Sequence, residues 1–109
     1  MSGFLDLLRA AIQWRFRLRG LATITDIGPA VFDRLLLELE SDQWKVVARY
    51  AGIDAGIDYD CVRLKRDGVR LKCEWDPWGE WSVEGPASVL RAIADRFKLT
   101  AQARWRWAG

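Results

Sequence analysis

The stretch Asp60-Cys61-Val62-Arg63-Leu64-Lys65-Arg66-Asp67-Gly68-Val69-Arg70-Leu71-Lys72-Cys73-Glu74-Trp75-Asp76-Pro77-Trp78-Gly79-Glu80-Trp81-Ser82-Val83-Glu84 decides the fold. Asp67-Gly68 is its strongest turn signal, because a two-residue type I′ hairpin turn needs positive φ at both central positions. Folding residues 60–66 back on 69–75 about that turn sets Val62 opposite Cys73 and Leu64 opposite Leu71, which makes one apolar face. The other face then pairs Arg63 with Lys72, Lys65 with Arg70 and Cys61 with Glu74. A slip of one residue would turn every apolar side chain to water, so hydropathy and turn chemistry specify the same register.

The next turn reads the same way. Asp76-Pro77-Trp78-Gly79-Glu80 fits a three-residue hairpin loop with Gly79 in the left-handed position. Trp75 then meets Trp81 and Cys73 meets Val83 inside, while Lys72 meets Glu84 and Glu74 meets Ser82 outside. The two registers agree on the buried side of residues 69–75, although each rests on its own turn.

Outward from this ribbon, Trp44, Val46, Ala48 and Tyr50 alternate with Lys45, Val47 and Arg49, which predicts a half-buried strand. Between them lies a loop with the tandem Ala51-Gly52-Ile53-Asp54 and Ala55-Gly56-Ile57-Asp58. Three segments have helical spacing. The first starts at the capping residue Ser2, carries Phe4, Leu5, Leu8, Ala11, Ile12 and Phe16, and stops at Gly20. The second follows Thr25-Asp26-Ile27-Gly28-Pro29 with the stripe Val31, Phe32, Leu35, Leu36 and Leu39. The third begins at Gly85-Pro86 and carries Val89, Leu90, Ile93 and Phe97. All three read as helices that cover a core, and residues 101–107 read as a strand or a loose tail. The expected architecture is α+β: an antiparallel meander of four to five strands, packed on one face by three helices.

The 109 residues, half of them hydrophobic and 29% charged, suit a single folded domain over 1–109 and exclude a disordered chain. No apolar run is long enough to span a bilayer, so no membrane partner is expected. The N-terminus has no basic segment ahead of an apolar one, which predicts no signal peptide. The chain has no His, which removes imidazole bases and imidazole metal ligands. Cys61 and Cys73 fall on opposite faces of adjacent strands, so no disulfide is expected, and two free thiols point to a reducing, cytoplasmic location.

Chemistry-bearing patterns are sparse. Asp54, Asp58 and Asp60 lack the spacing of a calcium loop, and the glycines form no phosphate-binding fingerprint. Cys61 has no base to activate it. No cofactor, metal or catalytic residue is assigned, and an enzyme using carboxylates or Cys61 is the least favoured reading. Trp78 sits at a turn tip, where the indole either stands exposed as a binding anchor or folds back over the sheet edge to seal the core. Beside it, Arg63, Lys65, Arg70, Lys72 and Glu84 mark a charged outer sheet face. These six residues are the expected binding surface of a non-catalytic interaction module whose partner is another protein, with a homodimer also open. The alternative is a small nucleic-acid-binding protein that uses Trp14-Arg15-Phe16-Arg17-Leu18-Arg19 and Arg104-Trp105-Arg106-Trp107. A net charge of +2 does not by itself imply a polyanion.

Overall fold

The computed structural model describes residues 3–104. In chain order these form α1 (Gly3–Leu18), β1 (Leu21–Ile27), α2 (Pro29–Ser41), β2 (Lys45–Arg49), β3 (Asp60–Arg66), β4 (Val69–Asp76), β5 (Glu80–Pro86) and α3 (Ala87–Phe97). The strands make one antiparallel sheet in the order β1-β5-β4-β3-β2. The α+β class is borne out, with β2 to β5 as a meander and β1 added beyond β5.

Both hairpin registers are as expected. Val62 pairs with Cys73, Leu64 with Leu71, Trp75 with Trp81 and Lys72 with Glu84. Asp67 and Gly68 have φ of 51° and 80°, as a type I′ turn requires. The second turn differs in one detail: the left-handed residue is Glu80, with φ 56°, and not Gly79.

The core lies between one sheet face and the helices α2 and α3. Ile24, Val62, Leu64, Leu71, Cys73 and Val83 come from the sheet, and Phe32, Leu35, Leu39, Leu90, Ile93 and Phe97 close over them. Pro29 opens α2, where its fixed φ and missing N–H cost nothing. Cys61 and Cys73 are both free, as their divergent faces implied.

Four expectations change. Residues 21–27 are a strand, not a lead-in to α2, and they supply the fifth strand of the sheet, while the described residues 101–104 contain no strand. Gln102 makes an isolated bridge to Thr23, each N–H donating to the other's carbonyl at 2.8 and 2.9 Å. The expected strand residues Trp105 to Trp107, like the capping Ser2, lie outside the described residues. The strand β2 is not half-buried: it is the sheet edge, and every residue in it is exposed. Only Trp44, just before it, reaches the core. Finally, α1 does not cover the core along its length, since Phe16 is its one buried residue. Phe4, Leu5 and Leu8 are 78%, 61% and 47% exposed.

Candidate functional site

The outer face of β2, β3 and β4 presents Lys45, Arg63, Lys65 and Arg70, all exposed. Lys45 stands opposite Lys65, Lys65 opposite Arg70, and Arg63 opposite Lys72. Like charges directly opposite each other destabilise a sheet, so packing gives no reason for this row. Among the described residues, none of Lys45, Arg63, Lys65 and Arg70 has an ion-pair partner. A depression of about 600 Å³ opens beside the row, lined in part by Gln43, Lys45, Val47, Lys65 and Asp67.

Lys72 belongs to a different environment. Its Nζ lies 3.4 Å from Glu74 and 3.6 Å from Glu84, and all three side chains are mostly buried. The cross-strand neighbour Glu84 and the along-strand neighbour Glu74 therefore neutralise it. Lys72 and Glu84 are internal partners, while Arg63, Lys65 and Arg70 remain available to solvent.

Trp78 is 93% exposed at the β4–β5 turn. The turn is held by the buried Asp76, whose Oδ1 accepts the N–H groups of Trp78 and Gly79, each at 2.8 Å. The indole is thus displayed on a fixed backbone. It is not beside the cation row, however. Trp78 follows the end of β4 where Trp75 pairs with Asp60, and Arg70 lies near the opposite end. Five residues at about 3.4 Å each place Trp75 and Arg70 about 17 Å apart along the strand. The six expected residues therefore divide into a tip (Trp78), a solvent-facing row (Arg63, Lys65, Arg70) and an internal ion cluster (Lys72, Glu84).

Two features escaped the sequence reading. Lys45 extends the row across β2, and its alternation with Trp44 and Val46 is the signal that places it outward. The second is a hydrogen-bonded group at the end of the long loop. Tyr59 donates its hydroxyl to Glu74 Oε2 at 2.8 Å. Burial, with the bonds to Glu74 and Cys61, holds the Tyr59 hydroxyl well above the ordinary range for a phenol. A depression of about 240 Å³ adjoins it, lined in part by Arg49, Tyr50, Tyr59, Cys61 and Arg63. Glu74 is already engaged by Tyr59 and Lys72, so this group acts as a brace between β3 and β4. Nothing in the sequence linked Tyr59 to Glu74, because the loop before β3 sets that contact.

The acidic loop residues do not converge. Asp54 accepts the Tyr50 hydroxyl, and Asp60 pairs with Arg49 at 2.9 Å. Among the described residues, no three Cys, Asp or Glu side chains come together as a metal site. No described helix is long and apolar enough to cross a membrane. In comparisons with family models, curated proteins and solved structures, the chain matches none.

Proposed function

We propose that the protein is a non-catalytic interaction module that engages another protein through its outer cation row and through Trp78. The row carries this reading. Lys45, Arg63, Lys65 and Arg70 stand together in solvent with no ion pair to a carboxylate among the described residues, which is the charge pattern an acidic partner surface complements. Trp78 adds a large contact area with little entropy left to lose, because Asp76 already fixes its turn. The free thiols of Cys61 and Cys73 support a cytoplasmic location.

The nucleic-acid alternative has less behind it. Binding a single strand by stacking needs exposed aromatic rings among the cations. Trp44 and Trp81 are buried in the core and Trp75 packs against it. The rings beside Arg63, Tyr50 and Tyr59, meet edge to face and are tied to Asp54 and Glu74. Within residues 14–19 of the chain, Trp14 is exposed beside Arg15, but it is a single ring, because Phe16 is buried. A catalytic role has less support still, since Tyr59 and Glu74 satisfy each other.

The test is affinity capture from cells with wild-type bait and with Trp78→Ala combined with Arg63→Glu, both shown to unfold at the same temperature. Loss of a specific protein from the variant's eluate supports the proposal. An unchanged eluate removes this surface. Capture of nucleic acid whose binding falls steeply with salt transfers the row to the alternative reading.

A further inference from the structure

The exposed side of α1 carries a pattern that neither the core nor the sheet uses. Phe4, Leu7, Ala11, Trp14 and Leu18 recur at alternating steps of three and four residues, the spacing of a coiled-coil seam. Leu7, Trp14 and Leu18 are 72%, 64% and 68% exposed. At about 100° per residue, the seam centres roughly 160° round the helix from Phe16, the residue that anchors α1 to the domain. The seam therefore faces away from the body.

We infer that this seam is a self-association surface, on which a second copy of the chain lays its own α1 antiparallel. Size complementarity is the first argument. In the antiparallel register that sets Leu7 against the second copy's Leu18, Ala11 meets Trp14 and Trp14 meets Ala11. Each indole thus fills the space above a methyl group. A parallel arrangement would set Trp14 on Trp14 and leave Ala11 facing Ala11, crowding one layer and hollowing the next.

Charge is the second argument. The helix carries Arg9, Arg15 and Arg17 against Asp6 alone, with two of the arginines in its last turn and Arg19 just past its end. A parallel pair would bring those basic ends together. In the antiparallel register, the rim residue Arg15 faces the second copy's Leu8, and Arg17 faces its Ala10, so no arginine on the rim opposes another. The basic ends also lie beside the ends that hold Asp6. The contact is isologous, so it closes at two copies.

The register makes an unusual demand that a mutation can read. Leu8 is 47% exposed and would lie against Arg15 of the other copy. Leu8→Glu removes an apolar side chain yet supplies Arg15 with a counter-charge. Sedimentation of the full-length protein across the micromolar range is expected to show a monomer–dimer equilibrium. Leu7→Glu is expected to raise the dimer Kd by roughly tenfold or more, with helix content and melting temperature retained. Leu8→Glu is expected to lower it. A monomer at every concentration, or a dimer unaffected by Leu7→Glu, overturns the inference. So does weakening by Leu8→Glu, which would mean apolar area without register. Binding of monomer to anionic phospholipid vesicles through α1, abolished by Leu7→Glu, would assign the seam to a lipid surface and overturn it as well.

Discussion

The indole of Trp81 on β5 lies flat against the ring of Phe32 on α2, with centroids 3.8 Å apart and planes 4° from parallel. This stack joins the first turn of α2 to the start of β5. Truncating either ring removes both buried area and a stacked contact. Trp81→Ala is expected to cost about 3–5 kcal/mol. Urea unfolding, with an unchanged slope and a lowered midpoint, is the measurement. A cost below about 1 kcal/mol would mean that the stack does not join helix to sheet.

Gly85 is needed for its missing side chain. A Cβ there would stand 2.4 Å from Leu71 Cδ2 and 3.0 Å from Leu90 Cδ2, and both leucines are fully buried. Gly85→Ala is expected to destabilise by about 1–3 kcal/mol through overpacking. Combining it with Leu71→Ala opens the space, so the pair should cost less than the two changes summed. Strict additivity in a double-mutant cycle would contradict the contact.

Glu80 holds φ 56° without being glycine, an unfavourable backbone conformation for a residue with a Cβ. Glu80→Gly relieves that strain, and the greater freedom of glycine in the unfolded chain offsets part of the gain. A rise of a few degrees in melting temperature is expected for Glu80→Gly and none for Glu80→Ala. Equal behaviour of the two variants would place the left-handed residue elsewhere in the turn.

Burial, with a smaller contribution from Cys61, pushes the Cys73 thiol above its ordinary 9.0. As pH rises past that value, the unfolded chain loses the proton while the folded chain keeps it. The folded state then binds more protons, and stability must fall with increasing pH. Tyr59 is shifted in the same direction from 10.0, by burial and then by its bond to Glu74, and extends the loss. The urea midpoint is expected to be level below about pH 8 and to decline above about pH 9. Cys73→Ala lowers the midpoint throughout but shallows the decline. An identical alkaline slope in both proteins would contradict the assignment to Cys73.

The central ribbon was legible because two turns fixed it locally. Asp67-Gly68 dictated one register and the Pro77–Glu80 segment the other, and the outward cations followed from alternation alone. The strand β1 was hidden by its own bulge. Ile24 pairs with Val83 and Ile27 with Trp81, so three steps on β1 match two on β5, and Asp26 takes φ 58° between them. Both isoleucines face the core at a spacing that is not the strand period. For α1, periodicity correctly marked a helix with apolar faces, but periodicity does not say what covers a face. The same holds at β2, where alternation cannot report that the helices stop short of the sheet edge. In the candidate site, the Lys72–Glu84 pair was visible in the register, whereas Lys72–Glu74 along one strand and Tyr59–Glu74 from the loop depend on side-chain reach.

Site-specific photo-crosslinking in living cells tests the proposed contact surface most directly. A photoreactive amino acid is placed in turn at Trp78, at Lys65, and at Asp33 on the solvent side of α2. The account predicts that the first two positions crosslink the same protein partner and that Asp33 does not. Crosslinks of equal yield from Asp33, or none from both Trp78 and Lys65, would contradict it.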